Sequence, residues 1–332
     1  MQDYLIKSDI YALNVKFNKD TKLIIGLGDS ICAGAGSESI ETFERCDWNM
    51  MKIRNDKSAI KESYINSFIN VLTRKYLTDY IPLNLAMAGK GNRFAIRELY
   101  TNPLIGLENA GEKIVLFVSS GLERLDFAYD VASMDNQTYT IWPYNQTPDE
   151  VGYGNITYKK ESIYNDQLIV GEFIMDMYML MDWCKINNAK LLFMSGFSTM
   201  IDRTKLINIL INGRDISNTD KTDLKFIIQN AIELVNKIPW HKQVKFEGYE
   251  TMIDYMLFKQ GRKDLIGEHN FRNYHVEKHT MDDYISKCQH ITKKGHELIA
   301  DNVIKYIMDY DNLVEVNYEK TDKKEFLKKT VI

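Results

Sequence analysis

LIIGLGDSICAGAG, residues 23–36, carries an apolar run into a Gly-Asp-Ser turn and then into a cluster of small residues. The run Lys22 to Leu27 is short, continuous and closed by glycine, the pattern of a strand buried on both faces of a parallel sheet. Three further runs repeat it: IPLNLAMAG (residues 81–89), KIVLFVSSG (113–121) and AKLLFMSGF (189–197). Helical patterns lie between them. ESYINSFINVLTRKYL (62–77) sets Tyr64, Ile65, Phe68, Ile69, Leu72 and Tyr76 at helical spacing, NRFAIRELY (92–100) suits a second amphipathic helix, and residues 165–187 make a long third one. Parallel neighbours need crossover connections, so the alternation predicts an α/β fold, a three-layer α/β/α sandwich around a central parallel sheet. In such sheets chemistry gathers beyond the carboxyl ends of the strands, and all four runs end there in Gly or Ser.

The rest of the chain bounds the reading. At 332 residues and 45% hydrophobic content it can bury a full core. With 42 basic and 46 acidic residues the net charge is −4, so no positive excess prepares it for nucleic acid. Cys32, Cys46, Cys184 and Cys288 are too scattered for a disulfide framework or a zinc knuckle and read as reduced thiols. No window approaches a membrane span, and the expectation is a soluble protein expressed in the cytoplasm. Two segments break the rhythm, residues 128–164 and 200–286, and are expected as insertions over the sheet edge of a single domain spanning 1–332. The last helical pattern, KKGHELIADNVIKYIMDY, is followed by a charged tail from about residue 312.

What can Ser30 be? A dinucleotide fingerprint beginning at Gly26 fails at its third glycine, where Ile31 stands, and a phosphate loop needs a Gly-Lys pair that neither Gly34 nor Gly36 provides. The G-x-S-x-G elbow fails at Cys32. A serine just past a strand, at the start of a helix, is well placed as a nucleophile, since free N–H groups favour a developing anion. Gly-Asp-Ser is equally a good turn and N-cap sequence, so a base must come from elsewhere. QHITKKGHELIADNV supplies one, with His290 just before the last helix and Gly295 five residues on.

Gly-Asp-Ser near the N-terminus and this histidine segment near the C-terminus together resemble the SGNH, or GDSL-type, hydrolases. NLAMAGKGN after the second run resembles that family's second block, and VSSGLERLDF after the third occupies the place of its third. The resemblance runs from Lys22 to about Asp309 and implies a flavodoxin-like sandwich carrying a serine esterase for acyl or acetyl esters, carbohydrate esters among them. It implies Ser30 as nucleophile, His290 as base and the Gly89 N–H as an oxyanion donor, with no metal and no organic cofactor. Two departures stand out: Gly121-Leu122-Glu123-Arg124 lacks the oxyanion-hole asparagine of the third block, and Lys287 replaces the aspartate that would orient His290. Asn92 is the candidate substitute donor, and Asp283, with its neighbour Asp282, the candidate orienting carboxylate. Asp29, Glu123 and Arg124 are the candidate substrate contacts, Arg124 as a carboxylate binder.

A second expectation stands beside the enzyme. Versions of this fold with an altered third block resemble proteins often encoded by bacteriophages, which implies a weakened site used for glycan binding or as a part of a virion or other larger assembly. His275 and His279 share H-x-x-x-H spacing without a third ligand signal, and Trp142, Tyr144, Tyr153 and Tyr158 enrich the first insertion with rings that suit either a sugar face or the loop's own anchoring.

Overall fold

The computed structural model describes residues 5–6, 16–88, 91–100, 106–120, 125–128, 138–141, 150–153, 156–159, 166–197, 201–212, 221–267, 273–315 and 318. Strands β1 (Leu5–Ile6), β2 (Lys22–Gly28), β3 (Ile81–Asn84) and β4 (Glu112–Ser119) belong to one parallel sheet. Two antiparallel hairpins follow, β5 (Leu125–Ala128) with β6 (Thr138–Ile141) and β7 (Glu150–Tyr153) with β8 (Ile156–Lys159). The chain then returns to the sheet as β9 (Ala189–Ser195), giving the order β1-β3-β2-β4-β9. Parallel bridges from Phe193 to Gln243 and from Ser195 to Thr251 lay a further segment along β9. Counted from β2, this is the doubly wound order 2-1-3-4-5, whose crevice opens where the first and third strands lie side by side. Here those strands are β2 and β4, and Ser30 follows the first of them.

The alternation of β2 shows why the sequence folds this way. Leu23, Ile25 and Leu27 point to one face, where they are buried with Val115, Phe117 and Phe193 against α6 (Asn92–Tyr100), α7 (Asp166–Ile186), α8 (Arg203–Asn212) and α9 (Lys221–Asn236). Ile24 points to the other with Ile114, Leu116, Val118 and Met194. That face is covered by α1 (Ser30–Ala33), α5 (Phe68–Lys75), α10 (Met252–Lys259) and α11 (Lys293–Met308). Full burial of each such aliphatic side chain stabilises the fold by roughly 1.5–3 kcal/mol. The two glycines of β2 lie on this second face. A Cβ on Gly26 would stand 2.8 Å from Ile69 Cγ1 and 3.2 Å from Cys32 Sγ, so α5 and α1 approach a bare backbone there, and one on Gly28 would stand 2.5 Å from the Val118 carbonyl of β4.

Three expectations are revised by the structure. The helical pattern over residues 62–77 is two helices, α4 (Lys57–Asn66) and α5, because Ser67 turns to φ −59°, ψ 150° and its hydroxyl donates to the Tyr64 carbonyl, 2.8 Å. The second apolar run is strand only to Asn84, whose side chain turns the chain by accepting from Ala86 N and donating to the Cys32 carbonyl. Residues 200–286 are not wholly an insertion over the edge: α8 and α9 cover one face of the sheet, and Met252, Tyr255, Met256 and Leu257 are core on the other. Sequence reading also passed over α2 (Ile40–Arg45) and α3 (Met50–Asn55), which with α4 bury Phe43, Cys46, Ile53 and Ala59 as a small cluster of their own. Among the described residues no helix is long and apolar enough to cross a membrane.

Candidate active site

Ser30 opens α1 directly beyond β2. Asp29 is its N-cap, fully buried, with Oδ1 accepting from Ile31 N at 3.0 Å. A capping carboxylate of this kind fixes the helix start and occupies one of its orphan amides. Asp29 therefore holds the turn. The small residues that follow are explained by what presses on them. Gly34 closes α1 at φ 88°, and a Cβ there would lie 2.1 Å from the Ser63 carbonyl. Gly36, at φ 95°, would bring one to 2.5 Å from His290 Cβ.

His290 arrives from a loop 260 residues away in sequence and sets Nε2 2.9 Å from Ser30 Oγ. The loop is tied into shape by its own backbone. Ser286 N donates to the His290 carbonyl at 2.8 Å, Ile285 and Ile291 form an antiparallel bridge, and Gln289 adopts φ 63° between them. Thr292 then caps α11 by accepting from Gly295 N, and Gly295 is bare because a Cβ would meet Ile291 Cγ2 at 2.5 Å and the Tyr284 carbonyl at 2.8 Å. The Phe197 ring stands edge-on to the imidazole, centroids 6.2 Å apart.

The other ring nitrogen decides what the imidazole can do. His290 Nδ1 lies 2.8 Å from the Cys288 carbonyl oxygen. A carbonyl only accepts, so Nδ1 carries the proton, Nε2 keeps its lone pair, and the Ser30 hydroxyl donates to it. This is the tautomer a general base needs. The carbonyl supplies orientation without the negative charge a carboxylate would add. Asp283 spends its carboxylate elsewhere, accepting from Gln260 Nε2 at 2.6 Å, Thr280 N at 2.6 Å and Thr280 Oγ1 at 3.1 Å. Asp282 is exposed and faces Lys294 at 3.8 Å.

Asn92 begins α6 and is buried at the carboxyl end of the sheet. Its Oδ1 accepts from Ser119 Oγ (3.1 Å), Ser120 N (2.9 Å) and Ser120 Oγ (3.1 Å), just past the end of β4. Three donors on the oxygen fix which way the amide faces and leave Nδ2 as its donating side. Gly89, Glu123 and Arg124 lie outside the described residues, as do Trp142 and Tyr144.

Two other histidines, His279 and His296, are buried in the framework. His279 is enclosed by Phe43 and Trp48, ring centroids 4.5 and 5.1 Å away, and accepts from Lys287 N; burial holds its pKa down at about 4. His296 is fully buried against Phe68 and burial pushes it down to about 3. Among the described residues no three His, Cys, Asp or Glu side chains come together as a metal site. One group was missed by sequence reading altogether. Glu38 is buried, accepts from Gly36 N at 2.8 Å and from Ser63 Oγ, and is raised to about 6 chiefly by desolvation. Nothing in the run AGAGSES marks it as buried, because its enclosure is supplied by α4.

No protein-family model matches the sequence, and a search of curated proteins finds no match. Among solved structures, the chain is similar to a lipase from a goat rumen metagenome at 12% identity and TM-score 0.33, covering 86% of this chain and 97% of that one. It is similar to an acetyl xylan esterase of the rumen bacterium Butyrivibrio proteoclasticus at 14% identity and TM-score 0.35, covering 89% and 65%. A third likeness is to an alpha/beta hydrolase enzyme from the metagenome of Lake Arreo, at 12% and TM-score 0.32, covering 87% and 95%. At these scores the likenesses carry no argument about this chain's chemistry, which rests on its own geometry.

Proposed function

We propose that this protein is a serine ester hydrolase of SGNH type that cleaves an acyl or acetyl ester, carbohydrate esters included, with Ser30 as nucleophile and His290 as general base. The single observation that carries the reading is the 2.9 Å contact between Ser30 Oγ and His290 Nε2, in the tautomer imposed by the Cys288 carbonyl.

The steps follow from that geometry. His290 Nε2 takes the hydroxyl proton as Ser30 Oγ attacks the ester carbonyl carbon, and the carbonyl π electrons move onto its oxygen. Asn92 Nδ2 and the backbone N–H groups of Ser30 and Gly89 are the donors assigned to that oxyanion. Collapse of the tetrahedral intermediate breaks the ester C–O bond, and the imidazolium returns its proton to the leaving alcohol. Water, deprotonated by the same nitrogen, then releases the acid from Ser30. At Nδ1 the ring is oriented by the neutral Cys288 carbonyl, which fixes the tautomer without adding a charge of its own to steady the imidazolium.

The test is hydrolysis of a short-chain nitrophenyl ester by wild type and Ser30→Ala, with fluorophosphonate labelling of both. Turnover and labelling confined to wild type support the reading. Equal, near-background rates with no labelling would overturn it in favour of a binding or assembly role for the same fold.

A further inference from the structure

Residues 34–39 join α1 to α2 through turns that are tied down on both sides. Ser37 Oγ donates to the Gly34 carbonyl at 2.6 Å, Asn66 Nδ2 donates to the Ser37 carbonyl at 2.9 Å, and Ser39 N donates to Glu62 Oε1 at 3.0 Å. Glu38 lies within this stretch and is buried. Its Oε2 accepts from Gly36 N at 2.8 Å and its Oε1 meets Ser63 Oγ, which also reaches the Ala59 carbonyl at 3.0 Å. That last contact lets one geometry serve both charge states. Ionised, Glu38 accepts from the Ser63 hydroxyl; protonated, it donates Oε1–H to the Ser63 oxygen while the Ser63 proton turns to Ala59. Oε2 stays on Gly36 N–H in either state, so the rise of the carboxyl to about 6, caused chiefly by burial, does not remove that bond.

Gly36 is the surface on which the histidine loop rests. A Cβ there would stand 2.5 Å from His290 Cβ, 3.1 Å from the His290 carbonyl carbon and 3.0 Å from Ser286 Oγ, at φ 95°. Ser286 Oγ in turn donates to the His290 carbonyl at 3.0 Å and accepts from His290 N at 3.3 Å. The bare backbone at position 36 therefore abuts both the side chain of the base and the hydroxyl that binds its main chain. Glu38 is near the orienting residue as well: the Cys288 thiol is pushed up to about 12, chiefly by burial and in part by the Glu38 charge. A buried N–H deprived of its acceptor turns toward another partner, and the backbone turns with it.

Resting on the ester-hydrolase reading of Ser30 and His290, we propose that Glu38 is a positioning residue for the base: by holding the Gly36 N–H it fixes the surface against which His290 and Ser286 pack, and so the placement of Nε2 at Ser30 Oγ. The role needs an acceptor atom at this place and no charge.

Glu38→Gln, Glu38→Leu and Glu38→Ala would be compared with wild type on nitrophenyl butanoate, with kcat counted per site titrated by fluorophosphonate. In parallel the His290 Nδ1–H proton would be followed by NMR after labelling with 15N-histidine, its signal assigned by its loss in His290→Gln. Glutamine accepts from Gly36 N through Oε1 and donates to Ser63 through Nε2, so its kcat and Nδ1–H signal should stay close to wild type, kcat within about threefold. Leucine removes the acceptor at similar volume; kcat should fall about 100-fold with KM within about threefold, and the Nδ1–H signal should shift or broaden. Alanine leaves room for a water at the same N–H and should cost about tenfold, which keeps the test open if the leucine variant does not fold. Wild-type kcat and Nδ1–H signal in the leucine or alanine variant would overturn the proposal, as would a lowered Tm with kcat per titrated site unchanged. Glutamine as poor as leucine would overturn it too, since charge and not the acceptor would then matter. No ester hydrolysed by any form, with the Nδ1–H signal changed by leucine and kept by glutamine, would sink the hydrolase reading and support the positioning of the ring.

Discussion

Two arms meet at the candidate site and are built by different means. The serine arm is local: within the eight residues 29–36 it has a capping Asp29, the proposed nucleophile Ser30 and the glycines Gly34 and Gly36, and each of these side chains or missing side chains has a distinct task. The histidine arm is assembled by backbone. Its proposed base is oriented by the Cys288 carbonyl, its loop is held by the Ser286 amide and an Ile285–Ile291 bridge, and the Asp283 carboxylate bonds to Gln260 and Thr280. The difference teaches that a neutral backbone carbonyl can set the imidazole tautomer that a carboxylate would set, without adding a charge of its own.

The strongest way to break this picture is to remove either partner. Ser30→Ala and His290→Ala should each lower kcat on a nitrophenyl ester by about 10³-fold or more, and the double variant should be hardly worse than either alone, because the two act as a unit. Additive losses, measured on the four-member cycle, would mean that the 2.9 Å contact is not used in turnover.

Next in size is the donor side. Asn92→Asp keeps an oxygen for Ser119 and Ser120 and removes the Nδ2–H donor, so kcat should fall by about 10²–10³-fold with little change in KM. A small effect would place the oxyanion entirely on backbone amides. Comparable in size is Gly36→Ala, which presses a Cβ toward His290 from a backbone at φ 95°. A misplacement of about 1 Å in the base should cost around 100-fold in kcat. Gly171→Ala in α7, where a Cβ has open space around it, is the control and should leave both kcat and Tm essentially unmoved or Tm slightly raised.

The contrast between the arms also explains what was legible in the sequence. The four strands showed as apolar runs ended by small residues, and Ser30 and His290 stood out because their chemistry is in the side chain. The Cys288 carbonyl could not show, since every residue carries one and only the loop's path selects it. Glu38 was hidden for the opposite reason: its identity is plain, but its burial comes from α4, part of a helical excursion whose weak periodicity gives no signal. The break at Ser67 was missed because the apolar spacing runs through it unchanged, and a hydroxyl bonding back to the Tyr64 carbonyl interrupts the helix.

A smaller effect sharpens the comparison on the serine arm's flank. Glu38 holds its proton to about 6 in the fold against the usual 4.5, so between those values the folded state binds more protons than the unfolded chain. Its contribution is therefore fully present below pH 4.5 and is lost as pH rises through 6, by about 2 kcal/mol. Glu38→Gln removes this slope. Subtracting the variant's unfolding free energies from those of wild type across pH 4 to 8 should give a curve that falls with pH in that window; a flat or rising one would mean the carboxyl is ionised in the fold.

The smallest expected effect bears most directly on the histidine arm. Lys287→Asp restores the residue type that the resemblance would place three positions before His290. If that arm is simply a decayed triad, the new carboxylate should recover activity. The loop geometry argues otherwise. His290 Nδ1 already donates to the Cys288 carbonyl at 2.8 Å, the backbone of Lys287 is committed to His279 Nδ1 at 3.1 Å, and the Ser286 and Ile285–Ile291 bonds fix the path between them. A carboxylate at position 287 would have to displace the carbonyl and break that path to reach the ring. We therefore expect kcat within about threefold of wild type, since a charge left near the surface and unbonded to the ring is largely screened. A rise of tenfold or more would show that the carbonyl is a poor stand-in and that the arm had only lost its aspartate. No rise would mean that the backbone has taken over the aspartate's positioning role.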